Sequence, residues 1–213
     1  MSGTNGKETH TRQLLLSAAI TTFQQKGFQK SRISDIVAEA GVAQGTFYLY
    51  FRSKEAIFRD ICAKFMERLS HLFISRTANL FDGTTEDEIK NKVRHIIQGM
   101  FEIYTDDIAV AELLFREGIG NGGVFKEIYE DIQFHFITLI QEQLREGIER
   151  GMIGFDDPET GSVFIFGIVE RSLLYFLLVQ KNFDIKTLQE QMLSFILKGM
   201  SFKFPSVEPI ATM

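Results

Sequence analysis

The chain has 213 residues, 45% apolar content and a net charge of −5, with 28 Asp+Glu against 23 Lys+Arg. That length allows one or two domains and a sizeable core, while the acidic balance and a pI near 5.5 argue, at face value, against a nucleic-acid protein. The single cysteine, Cys62, excludes an internal disulfide or a paired-cysteine metal site and points to a reducing, cytoplasmic home; the polar opening Met1-Ser-Gly-Thr-Asn-Gly has no apolar run of the kind a secretory signal needs.

In chain order the periodicity is helical. Leu15, Ala18, Ala19 and Phe23 predict a first helix over about Glu8–Lys26, stopped by Gly27. Ile33, Ile36, Val37 and Ala40 mark a short second helix ended by Gly41, and a third covers about Gln44–Tyr50. Ser53 reads as the N-cap of a long fourth helix, with Glu55 in its first turn and Phe58, Cys62, Phe65, Leu69 and Leu72 as its stripe. After the Asp82-Gly83-Thr84-Thr85 turn, Ile89, Val93, Ile96, Ile97, Met100 and Tyr104 define another helix. A shorter one over about Ile108–Glu117 precedes a glycine-rich stretch, Gly118–Gly123. That stretch follows no strand and precedes no Lys-Ser/Thr, so it reads as a helix–helix connection rather than a phosphate loop.

Phe125, Ile128, Ile132, Phe136, Ile140 and Leu144 stripe a long helix ending near Gly151, and two last helices follow Asp157-Pro158 and Phe183-Asp184. Pro205 and Pro209 mark a loose tail. Prolines stand only at 158, 205 and 209, and no useful period-2 segment occurs. The fold class is all-α, with around nine helices. The most apolar segment, Val163–Val179, is interrupted by Glu170-Arg171-Ser172. A charge at a bilayer centre costs about 2.5–3.5 kcal/mol, so a helix buried on most sides by protein is expected there and no membrane partner.

Residues 33–51 carry the most information. Gly41 can take a positive φ for a sharp turn between two short helices, and Val42 fills the space between them. On the third helix Phe47 and Phe51 face the core, which turns Gln44, Gly45, Thr46, Tyr48, Leu49 and Tyr50 outward, toward a DNA major groove. Arg12-x-x-Leu15-Leu16-x-Ala18-Ala19-x-x-x-Phe23-x-x-x-Gly27-Phe28 is followed by Ile36-Val37-x-x-Ala40-Gly41-Val42-x-x-Gly45-Thr46-Phe47-Tyr48-x-Tyr50-Phe51-x-Ser53-Lys54-Glu55. Together these residues resemble the TetR-type transcriptional regulators almost position for position over 12–58. Arg32, Val37 and Ala43 depart from the family's usual Thr, Ala and Ser; Ala43 has no hydroxyl with which to cap the third helix.

The resemblance implies a division into a DNA-binding domain over 8–68 and an effector-binding and dimerisation domain over 69–213. It implies a homodimer formed through the last two helices, binding a pseudo-palindromic operator as a repressor, with no cofactor and no catalysis. Gln44 is the expected base reader, since its amide can pair bidentately with adenine. Gly45 lets the backbone approach DNA, and Thr46 reaches a base or a phosphate. Tyr48, Tyr50 and Lys54 match positions where the family clamps phosphates, and Arg32 and Ser34 lie at the second helix's N-terminus, where backbone N–H groups favour phosphate.

Sixteen of the 21 phenylalanines lie beyond residue 60. An interior rich in Phe and Met suits a small hydrophobic effector, although no pocket residue is assigned, and Glu170 and Arg171 either pair locally or line a pocket or interface. A competing metal-dependent reading would use Glu127, Asp131 and His135, at i, i+4 and i+8 on one helix face; a solvated acidic face with one His is the reading preferred over it. A third reading is a regulator answering to a protein partner or to no effector. Residues 1–60 carry a net charge of +3 and the remainder −8. The acidic total therefore averages a basic head and an acidic body, and does not exclude DNA.

Overall fold

The computed structural model describes residues 3–82, 85–120, 123–180 and 182–203. Among them are nine α-helices and no strand beyond one isolated bridge, Ile153 to Phe202. The all-α expectation holds. The turn residues Gly83 and Thr84 and the tail prolines Pro205 and Pro209 lie outside the described residues. Two compact units form: Met1–Glu67 with Asp107–Glu130, and Arg68–Asp106 with Asp131–Met213.

In the first unit, α1 (Gly3–Lys26), α2 (Ile33–Ala40) and α3 (Gln44–Tyr50) are followed by α4 (Lys54–Thr77). The first helix begins ahead of the expected Glu8, where Gly3-Thr-Asn-Gly carries no apolar period to announce it. Gly41 holds φ +66°, a left-handed conformation open to glycine at little cost; its N–H reaches the Ala38 carbonyl and the Val42 N–H reaches Val37, which closes α2. Ser53 Oγ accepts the Ala56 N–H at 3.2 Å, so α4 is capped as expected.

The same unit contains α6 (Ile108–Gly120) and the start of α7 (Val124–Glu149). Gly118 and Gly120 are helical rather than part of a connection, and Asn121 and Gly122 lie outside the described residues. Four rings drawn from distant segments meet here: Phe125 lies 4.4 Å from Phe28 and 4.8 Å from Phe58, and Phe23 lies 5.0 Å from Phe28. Such tilted pairs add about 0.5–1.5 kcal/mol each beyond the area they bury. Polar ties reinforce them, since Arg116 Nη2 donates to the Phe23 carbonyl at 3.1 Å and the Phe28 N–H donates to the buried Glu117 carboxylate at 3.3 Å.

The second unit comprises the rest of α4, α5 (Glu86–Asp106), the remainder of α7, α8 (Pro158–Leu174) and α9 (Ile185–Gly199). The α8 helix continues into a π-helical stretch, Tyr175–Gln180. Thr85 and Glu88 form a reciprocal capping box for α5, and Asp157 and Asp184 cap α8 and α9 with their carboxylates. Arg94 grips Glu190 through two bonds of 2.6 and 3.1 Å, tying α5 to α9. A Cβ on Gly99 would overlap the end of the Leu72 side chain, so a larger residue there would require that side chain to shift.

Pro158–Gln180 is, among the described residues, one helix long and apolar enough to cross a membrane by length and composition. Its outward residues include Val163, Phe164, Tyr175 and Val179, and α9 adds Ile185 and Phe195.

Candidate DNA-reading helix and effector cavity

The recognition helix is a seven-residue element that could not stand alone in water. Phe47, fully buried, holds it to the core beside Phe51, with ring centroids 5.7 Å apart. That orientation leaves Gln44 and Gly45 exposed, Tyr48 52% and Leu49 81% exposed, and Thr46 and Tyr50 half-buried. Leu49 was not among the expected site residues, although its place on the outward face was readable; its side chain has little protein to bury against and suits contact with a thymine methyl. Ala43 makes no side-chain cap at the start of α3.

Gly45 has no atom within 4 Å of where a Cβ would stand, and its φ is not in the left-handed region. A glycine in a helix costs roughly 0.5–1 kcal/mol relative to alanine, and nothing inside the chain offsets that cost. Gly45→Ala is therefore expected to stabilise the protein by about 0.5–1 kcal/mol while weakening DNA binding. A thermal melt and a DNA titration measure the two effects, and unchanged DNA affinity would show that no close approach occurs at Gly45.

At the start of α2, Arg32 and Ser34 are exposed. The Arg32 N–H donates to Asp35 Oδ2 at 2.9 Å, and Lys26 pairs with the same carboxylate at 2.8 Å. Lys26, with the Arg32 N–H second, holds the Asp35 carboxyl below its usual range. Any phosphate at this helix start therefore meets a carboxylate already neutralised by Lys26.

Lys54 turns inward. Its ammonium donates to the carbonyls of Phe28 at 2.6 Å and Ser31 at 2.9 Å and stands 4.2 Å from the centre of the Phe28 ring. Partial burial lowers its pKa, against the opposing pull of Glu55 and Glu117. Two of its three N–H groups are thus committed to the α1–α2 connection, and a phosphate can use the third. Lys54→Met is expected to destabilise the protein by about 1–2 kcal/mol by stripping both carbonyls. If the third donor also holds DNA, the slope of log affinity against log salt falls by about one; a melt and a salt titration separate the two contributions.

Cys62 is 2% exposed, and burial pushes its thiol up to about 12. It behaves as a small apolar core residue rather than a redox-active one. Glu127, Asp131 and His135 are not gathered into a metal-binding group among the described residues: Glu127 pairs with Arg59 at 3.4 Å, and His135 Nε2 bonds Ser70 Oγ at 2.9 Å.

Within the second unit lies a cavity of about 100 Å³, walled by side chains such as Phe73, Ile97, Phe136, Ile140 and Val169. One water needs about 10–15 Å³ on the same measure, so the space is larger than a single water requires. Thr77, Tyr104, Gln143 and Glu170 are its polar lining, while Arg171 faces a separate open groove along α8 and α9. Of these lining residues only Glu170 was offered from the sequence, as one of two alternatives, because an apolar stripe at helical spacing reads the same whether it faces a core or a cavity.

Two short helices meeting at a left-handed glycine, the second presenting a polar face on a buried aromatic anchor, define a helix-turn-helix DNA-binding protein. Residues 15–61 match the model for bacterial regulatory proteins of the tetR family. The HTH-type transcriptional regulator YvdT of Bacillus subtilis (strain 168) is 52% identical over 183 residues, covering 75% of this chain and 93% of that one. The chain belongs to the tetR family of transcriptional regulators. The fatty acid metabolism regulator protein of Bacillus subtilis (strain 168) is 24% identical over 89% of this chain and 95% of its own length. The crystal structure of FadR from Bacillus subtilis in complex with stearoyl-CoA shares the fold, with a TM-score of 0.71 and 23% identity over 88% of this chain and 98% of that one.

Proposed function

We propose that the chain is a cytoplasmic, non-catalytic repressor that binds a pseudo-palindromic operator as a homodimer and is released by a small hydrophobic effector. The observation that carries this reading is the pairing of an outward-facing α3 in one compact unit with an apolar cavity in the other. Domains at 8–68 and 69–213 then read DNA and sense the effector. Two helices supply residues to both tasks: α4 carries Phe58 in the head and Phe73 on the cavity wall, and α7 carries Phe125 in the head and Phe136 on the wall. Effector-driven movement of either helix would be felt at both ends. A coupling of about 1–3 kcal/mol is the usual size of such an effect.

The names of the relatives support an acyl chain as the effector class, since one is a fatty acid metabolism regulator and another holds stearoyl-CoA. The exposed Val163, Phe164, Tyr175 and Val179 of the α8 helix and its π-helical continuation, with Ile185 and Phe195 of α9, form an apolar surface suited to a second copy of the chain. In such a dimer two recognition helices would enter successive major grooves roughly 34–36 Å apart. Gln44, Gly45, Thr46 and Tyr48 would face bases and nearby backbone, with Tyr50, Lys54, Arg32 and Ser34 contacting phosphates.

Selection of bound fragments from a random DNA pool, repeated with cell metabolite extract, tests both halves. Enrichment of paired half-sites and their loss on adding extract are the expected results. A pool with no enriched sequence would overturn the DNA reading; retention unaffected by extract would overturn the effector half alone.

A further inference from the structure

The outward face of α3 carries two residues that the chain by itself does not favour. At about 3.6 residues per turn, the direction opposite the buried Phe47 falls between Gly45 and Leu49, which stand one turn apart. Leu49 leaves 81% of its surface exposed, and Gly45 weakens the helix it belongs to. Nothing lies within 4 Å of where a Gly45 Cβ would stand, so Leu49 does not fold over the glycine but stands beside an open step in the helix surface. One exposed leucine is ordinary. A leucine set one turn from a helical glycine, at the centre of the face that Phe47 turns outward, makes a small apolar recess. Its flanks are polar, with Gln44 and Tyr48 on one side and Thr46 on the other. The surrounding head holds eight Lys+Arg against five Asp+Glu over residues 1–60, which favours a polyanion over an apolar protein surface as the body that covers it.

We infer that Gly45 and Leu49 seat the 5-methyl group of a thymine, making Leu49 a specificity-determining residue, and that each half-site carries a T·A pair where this recess meets the major groove. Thymine presents that methyl on its major-groove edge, whereas cytosine presents an amino donor and no methyl. Leu49 covers the methyl, and the missing side chain at Gly45 leaves room for the base edge. A C·G pair at the same place sets Leu49 against a polar edge. The inference rests on the DNA reading above and adds to it a base preference that the Gln44 amide does not supply.

The test starts from an operator selected out of a random DNA pool with the full chain. Each thymine is then replaced by uracil, which removes one methyl and keeps the pairing edge, and affinity is titrated for the wild type and for Leu49→Ala. One thymine per half-site should be sensitive in the wild type, by about fourfold for one methyl and about fifteenfold when both half-sites are changed. Leu49→Ala should bind DNA more weakly, should not distinguish thymine from uracil at that position, and should keep its melting temperature because Leu49 has little protein contact to lose. Uracil tolerated at every position overturns the inference. A penalty equally large in Leu49→Ala also overturns it, by assigning the methyl to another side chain. Full DNA affinity in Leu49→Ala overturns it as well and leaves the recess to a protein partner. If the pool yields no enriched sequence, both this inference and the DNA reading fall; an enriched operator without a uracil-sensitive thymine sinks this inference alone.

Discussion

Phe47→Ala is expected to abolish specific DNA binding while leaving most of the helical content in place. Phe47 is the only buried residue of α3 and is fully shielded from solvent. Truncating a buried phenylalanine costs about 3–5 kcal/mol, and here the lost contacts are those that hold a seven-residue helix against the core. An element of that length has no independent stability, so the truncation should release α3 and disperse Gln44, Gly45, Thr46 and Tyr48. Circular dichroism should show a small loss of helix and a lower melting temperature, and DNA titration should show loss of the specific complex. Phe47→Leu, which retains much of the apolar volume, should recover part of both. Full affinity in the alanine variant would mean that α3 is held by something other than its aromatic anchor.

Filling the cavity should separate sensing from DNA binding. Ile97 on α5 is 3% exposed and lines the space of about 100 Å³. Ile97→Phe directs extra volume into that space. Overpacking a tight core costs about 1–3 kcal/mol, but an existing void absorbs the added atoms, so the melting temperature should hold or rise. DNA affinity without effector should be unchanged, and release by metabolite extract should require at least tenfold more material. Retained sensitivity would place the effector elsewhere, and a large drop in melting temperature would show that the void cannot accept the ring.

Local signals carried the head well. The bounds of α2 and α3 agree with expectation because Gly27 and Gly41 punctuate them and the apolar period is strong between those points. Phe47 and Phe51 were correctly assigned inward by spacing alone. Three features escaped, each for a physical reason. The helical state of Gly118 and Gly120 opposes their intrinsic preference, and tertiary packing routinely overrides such weak priors. The inward turn of Lys54 depends on carbonyls more than twenty residues earlier, which no local pattern reports. The placement of Arg116, Glu117 and Phe125 with the head is a long-range pairing of the same kind.

The four-ring cluster bears on how portable the DNA-reading part is. Residues 1–67 look like a self-contained module, yet Phe28 and Phe58 lean on Phe125, and the Phe28 amide is satisfied by Glu117. Cutting the chain after α4 begins would bare two aromatic faces and orphan a buried amide. A reader domain grafted from this protein onto another sensor should therefore carry residues 107–130 with it, and a chimera built at the obvious seam would inherit an unfinished core.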